Sequence, residues 1–151
     1  LTNPGFESGD LTGWTLTDNG KADQLYAEDK ITDSLTGSWH MHFWSAAENS
    51  VEFDLEQEVA DLEEGAYKFS VSIMGGDSGQ AEVYAYAKID GETVATAPMT
   101  ITTYGNWDEG QLTGLKVAQG QTLTVGIHVK CQGAGNGAWG KIDDAKLNRD
   151  F

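Results

Sequence analysis

Flat rings beside hydrogen-bonding groups recur along this chain at the spacing of strand faces. Successive side chains of a strand point to opposite sides, so over Trp39 to Trp44 the pair Met41 and Phe43 shares one face while His40, His42 and Trp44 share the other. Over Ala81 to Ile89, Val83, Ala85, Ala87 and Ile89 face one way, and Glu82, Tyr84, Tyr86 and Lys88 the other. The aliphatic face of each run reads as core. The opposite face carries the chemistry that grips a sugar: pyranose C–H patches stack on aromatic planes, and hydroxyls take directed hydrogen bonds from amides, carboxylates and cations. Trp44, Trp107 and Trp139 are the candidate stacking rings, joined by Tyr84 and Tyr86, although each could instead fill the interior or pair across strands. Parity adds His42, His128, Lys130 and Gln132 to the non-core faces, and these gather into one surface if their strands share a sheet.

Two other chemistries compete for the same residues. His40, His42 and His128 are the only histidines, and two on one strand face could begin a three-His zinc site. Nothing in the spacing locates the third ligand, and no thiolate or suitable acid stands near, so the expectation is polar contacts rather than zinc. Glu52, Asp54 and Glu56 alternate with Val51, Phe53 and Leu55 and so project three carboxylates from one strand face. That pattern resembles the catalytic strand of β-sandwich glycosidases of the laminarinase type, whose paired acids serve as nucleophile and proton donor. A small glycosidase using Glu52 and Asp54 is therefore the alternative function, and a solvated acidic strand is its bland counterpart.

Composition limits the partners. The 151 residues carry a formal charge of −15 with a pI near 4.2, which excludes nucleic acid and anionic membrane surfaces, because phosphate binding needs Lys and Arg to displace counterions. The same charge repels polyanionic glycans and favours a neutral polysaccharide. Cys131 is the only cysteine and is in phase with Leu123, Val125, Ile127 and Val129, as expected of a buried, inert thiol. No apolar run is long enough to span a bilayer. The opening at Leu1, Thr2, Asn3 looks like a module cut from a longer parent, with any export signal elsewhere.

The elements that must position these residues are strands. Nineteen glycines against two prolines, with many short alternating runs, predict a single all-β domain over residues 1–151. Expected strands lie near Gly13 to Thr17, Ala22 to Ala27, Trp39 to Trp44, Val51 to Val59 and Tyr67 to Ile73. Others lie near Ala81 to Ile89, Val94 to Thr102, Gln111 to Val117, Leu123 to Cys131 and Lys141 to Asn148. Asp90 with Gly91 is the strongest hairpin signal, and Gly133 to Gly140 is the most unusual loop.

The ends of the chain are the most specific. Asn3, Pro4, Gly5, Phe6, Glu7, Ser8, Gly9 with Gly13 and Trp14, and the closing Ile142, Asp143, Asp144, Ala145, Lys146, Leu147, resemble the first and last strands of jelly-roll carbohydrate-binding modules. That likeness implies adjacent ends and a structural Ca²⁺ held by the Gly5 carbonyl, the Glu7 carboxylate, the Trp39 carbonyl and Asp143, with Asp144 a near-equal alternative. Oxygen ligands of this kind suit a hard cation. Together with His42, Phe43, Trp44, then Gly75, Gly76, Asp77, then Val129, Lys130, Cys131 and the run Gly137 to Asp144, nearly the whole chain resembles carbohydrate-binding module family 61. The resemblance implies a β-sandwich of jelly-roll type that is not an enzyme. It also implies an extracellular, monomeric module that binds β-1,4-galactan or galactooligosaccharides for an appended endo-β-1,4-galactanase. In that setting Asp77, Lys130 and Gln132 would select the axial galactose hydroxyl. An adhesion domain with a protein ligand is a third reading.

Overall fold

Among the described residues ten strands follow one another: β1 (Thr15–Asp18), β2 (Gln24–Asp29), β3 (Trp39–Trp44), β4 (Ser50–Val59), β5 (Gly65–Gly76), β6 (Ala81–Ile89), β7 (Glu92–Met99), β8 (Asp108–Val117), β9 (Leu123–Gln132) and β10 (Trp139–Arg149), with one 3-10 turn at Ile31–Asp33. The computed structural model describes residues 1–132 and 137–150, and the side chain of Gln132 lies outside the described residues. Two five-stranded antiparallel sheets form, sheet I in the order β1-β4-β9-β6-β7 and sheet II in the order β2-β3-β10-β5-β8. This is the expected β-sandwich.

Alternation decides what lies between the sheets. Met41, Phe43, Ile73 and Ile142 of sheet II meet Phe53, Leu55, Val83, Ala85, Val125, Ile127 and Val129 of sheet I in one buried cluster, and the Phe43 and Phe53 rings meet edge to face at 5.4 Å. Burying such side chains stabilises by about 1.5 to 3 kcal/mol each, so a one-residue slip of either sheet would expose a whole row. Cys131 is buried as expected, and burial raises its thiol pKa to about 11.

Turn chemistry explains where expectation and structure part. Asp90 and Gly91 both take positive φ, 51° and 84°, the mirror-image turn that suits a right-twisted hairpin, and Ile89 pairs with Glu92. β7 thus begins before Val94, and it ends at Met99 because the Thr100 N–H donates to the Asp108 carboxylate at 2.7 Å rather than to a strand. Trp139 and Gly140 open β10 instead of closing a loop, while residues 133–136 of that expected loop lie outside the described residues.

The two ends meet, though not as paired strands. Asn3 and Phe6 adopt left-handed φ of 51° and 61°, which folds residues 3–9 into consecutive turns, and the Ala145 N–H donates to the Pro4 carbonyl at 3.1 Å. Phe6 is buried, its ring 5.4 Å from that of Trp14. The Trp14 indole N–H donates to the Asn3 carbonyl at 2.8 Å.

Candidate saccharide-binding site

The expected site residues divide between the two outer faces of the sandwich. Register sets Trp44 of β3 directly opposite Trp139 of β10, with Gln24 beyond Trp44 and Gly76 beyond Trp139. A Cβ on Gly76 would lie 3.0 Å from Trp139 Nε1 and 3.1 Å from its Cζ2, so the indole lies across the bare glycine backbone. Only glycine leaves that room. Both indoles are half-buried, and Asp77 is exposed just past Gly76, at the end of this row. Tyr104, from the segment between β7 and β8, brings its ring 6.2 Å from that of Trp139. Trp107 is half-buried in the same segment.

The next row is Tyr26, His42, Lys141 and Met74. Tyr26 is 43% exposed, and its ring sits 5.0 Å from the His42 imidazole. Lys141, only 4% exposed, places its ammonium 2.7 Å from Glu28 Oε1, 2.6 Å from His42 Nδ1 and 3.8 Å from Asp33 Oδ2. Burial, and then the Lys141 charge, push the His42 pKa down to about 4. The ring is accordingly neutral near pH 7: Nδ1 accepts from Lys141, and Nε2–H donates to Gln24 Oε1 at 2.7 Å. Burial opposes the Glu28 charge, yet Lys141, His42 and His40 hold that carboxyl below its ordinary pKa. The loop arms close over this network, for the Tyr104 hydroxyl donates to Asp33 Oδ1 at 2.9 Å and the Gly105 N–H to Met74 Sδ at 2.9 Å.

The three-His arrangement does not form, because His128 belongs to sheet I. Glu28 instead joins His40 and His42, with ligating atoms within 4.8 Å of one another. The Lys141 ammonium already engages Glu28 Oε1 and His42 Nδ1, so a cation there would meet a cation.

Tyr84, Tyr86, His128 and Lys130 face outward from sheet I and cannot share a surface with Trp44 and Trp139. The single surface formed from all of them is thereby corrected, and Lys130 cannot assist Asp77 on one sugar. The side chain of Gln132 lies outside the described residues. The alternating acids of β4 face bases across the sheet: Asp54 Oδ1 is 2.8 Å from His128 Nδ1, Glu56 is 3.7 Å from the Lys88 ammonium, and Glu52 is in register with Lys130. The acids of β4 thus lie on a half-buried polar strand face among basic side chains.

At the joined ends, Glu7 accepts the Ser38 and Trp39 N–H groups, each at 2.9 Å. Asp143 accepts from Leu35, Thr36 and Asp144 N–H at 2.9, 3.1 and 2.8 Å. It is fully buried and makes no ion pair among the described residues. Burial raises its pKa to about 6 in spite of those donors. A Cβ on Gly5 would lie 3.7 Å from Asp143 Oδ1 and 3.8 Å from Glu7 Cγ, so the Gly5 backbone lies beside both carboxyl side chains. Asp144 instead turns to Lys146, 3.2 Å away, which separates the two aspartates.

Gln24, Tyr26, Glu28, Asp33, Tyr104 and Lys141 were not among the expected site residues. Gln24 and Tyr26 alternate on β2, and Lys141 is two residues from Trp139, so parity could have found these three. Tyr104 and Asp33 arrive from loops and carry no periodic signal.

No family model matches the chain, and no curated protein matches it in sequence. Among solved structures, it is similar to TmCBM61 in complex with β-1,4-galactotriose, at 25% identity and a TM-score of 0.85, over 99% of this chain and 97% of that one. It is also similar to the enzymatically active domain of tailspike protein 4 of bacteriophage CBA120, at 12% identity and a TM-score of 0.69, over 99% of this chain but 21% of that one. A carbohydrate-binding module of the β-sandwich superfamily, described for promiscuous specificity, matches at 16% identity and a TM-score of 0.64, over 96% of this chain and 60% of that one. At such identities the last two speak for the fold alone. The fold and the first of these likenesses bear out the resemblance, read from the sequence, to carbohydrate-binding module family 61.

Proposed function

We propose that the chain is a non-catalytic carbohydrate-binding module that takes neutral β-1,4-galactan, or its oligosaccharides, on the Trp44 and Trp139 surface and holds an appended glycoside hydrolase on that polymer. The observation that carries the reading is the placement of two half-buried indoles opposite one another on neighbouring strands, one laid flat on Gly76. The row from Gln24 to Gly76 crosses three interstrand gaps of about 4.8 Å, about 14 Å in all. That length suits several linked sugars better than one. The axial O4 of galactose leaves the opposite ring face richer in C–H, the face that stacks on indole, while exposed Asp77 stands where it can accept from a hydroxyl. A site that depends on such bonds rejects the equatorial isomer, whose binding leaves its polar groups unpaired. The galactotriose complex of TmCBM61 supports the choice of galactose, and the charge of −15 supports an uncharged polymer.

A structural Ca²⁺ belongs to the same proposal. Asp143 is a buried carboxylate without a cationic partner among the described residues, and Gly5 and Glu7 lie beside it, so the donor set fits a hard cation. Glu7, Asp143 and the Gly5 and Trp39 carbonyls would hold the ion, which would neutralise the buried charge and tie both ends to β3.

Isothermal titration tests the ligand assignment. β-1,4-Galactotriose should give saturable heat at one or more sites and cellotriose little. Silence with galactotriose while another neutral glycan binds would overturn the galactan assignment.

A further inference from the structure

The outer face of sheet I holds a groove of about 260 Å³ lined by Asp54, Tyr84, Tyr86, Lys88, Thr93, Thr96 and His128. The Tyr86 phenol lies on Gly126, which is in register with Glu56 on one side and Tyr86 on the other. A Cβ on Gly126 would lie 2.8 Å from the Tyr86 hydroxyl, so the phenol reaches across the bare glycine. Tyr86 is 3% exposed, and among the described residues its hydroxyl is the buried side-chain polar atom that lacks a hydrogen-bond partner. The Glu56 carboxylate acts on the phenol by charge and as a hydrogen-bond acceptor, at a geometry looser than that of an ordinary hydrogen bond.

The walls are preorganised. Asp54 holds His128 through Nδ1 at 2.8 Å, which leaves Nε2 without a partner among the described residues. The imidazole is stacked on Tyr84 at 4.8 Å and 20°. Lys88 is fixed by two contacts, 5.3 Å from the centre of the Tyr86 ring and 3.7 Å from Glu56. Two threonine hydroxyls complete the rim. Donors and acceptors are thus mixed around ring edges, and the carboxylates of Asp54 and Glu56 disfavour an anionic guest. The volume falls below the about 300 to 1,000 Å³ of pockets that enclose drug-sized ligands, which points to one ring rather than a chain.

We propose that this groove is a second saccharide-binding site, taking one neutral hexose unit, on the side of the sandwich away from Trp44 and Trp139. The sugar would lie against the Tyr84 and Tyr86 rings and bond to Asp54, His128 Nε2 and the threonines. The proposal rests on the carbohydrate-binding reading of the chain, and it makes the module bivalent: two sites facing opposite ways can engage two strands of a polysaccharide, with the gain in avidity that linkage gives.

Amide and imidazole NMR spectra of the whole chain, titrated with β-1,4-galactotriose and with methyl β-D-galactoside, test it. Two separable sets of resonances should move, one at the Trp44 and Trp139 indoles and one at Gly126, Tyr86 and the His128 ring. In the Trp44→Ala/Trp139→Ala double variant the second set should still move. Thr96→Val keeps the shape of the rim and removes an exposed hydroxyl, so it should weaken only the second set, about five-fold, the worth of one neutral hydrogen bond. Shifts confined to the indole side, or a second set lost with the two tryptophans, would overturn the second site and leave the platform reading intact. Shifts at Gly126 and His128 alone would support the groove and overturn the platform. No shift with either probe would overturn both as galactose sites.

Discussion

Lys141→Met gives the sharpest perturbation of the structure beneath the tryptophan surface. The ammonium is 4% exposed and sits between Glu28, His42 and Asp33. Methionine fills the same stem volume but removes the cation, leaving two carboxylates at that spot with one positive charge fewer. Breaking a buried pair from one side costs about 3 to 5 kcal/mol. Glu28 is partly exposed, so the lower end is expected. His42 then reports the loss directly. Its pKa is about 4 in the fold against an ordinary 6.5, burial being the larger cause and Lys141 the next, so the variant should titrate well above 4 yet still below 6.5. The sign follows from linkage: a histidine depressed in the folded state lends stability that is complete above pH 6.5 and is lost as pH falls towards 4. At about 1.4 kcal/mol per pH unit, that window is worth about 3 kcal/mol. Urea unfolding at pH 7 and pH 5, with an NMR titration of the His42 ring, measures both effects. Unfolding midpoints unchanged at pH 7 together with a His42 pKa still near 4 would refute the network.

Removing the rings one at a time should act on ligand and not on fold. Trp44→Ala and Trp139→Ala should each weaken galactotriose binding by about 1 to 3 kcal/mol, the range for bases stacked on aromatic side chains, with affinity read by titration calorimetry and the fold by circular dichroism. Gly76→Val places methyls where the Trp139 indole lies. It should reduce binding about as much as Trp139→Ala, and an unchanged affinity would show that the ring does not need that bed. Excess Ca²⁺ should raise the melting temperature of chelator-treated protein through preferential binding to the folded state. The rise should vanish in Asp143→Ala and persist in Asp144→Ala, since Asp144 pairs with Lys146 instead.

The period-two alternation of strands is local, so the inward sets of β3, β5, β6 and β9 could be read directly and are buried almost throughout. Sheet membership is not local. β10 lies between β3 and β5, and β9 between β4 and β6, so parity alone merged His128 and Lys130 with Trp44 although they face away from one another. The glycine beds of Trp139 and Tyr86, at Gly76 and Gly126, are likewise set by partners more than 35 residues distant. Lys141 is in phase with Trp139 on β10. It becomes buried because the Ile31–Asp33 turn and the Tyr104 loop fold over that face, and loop placement leaves no periodic trace. The acids of β4 resembled a catalytic strand for the converse reason, since the bases opposite them come from β6 and β9.

A crystal structure of the chain with β-1,4-galactotriose puts the account to its most direct test. A galactose ring stacked on the indole of Trp44 or Trp139, with Asp77 within hydrogen-bond distance of the sugar, is the predicted result. A trisaccharide bound with neither indole in contact would contradict it.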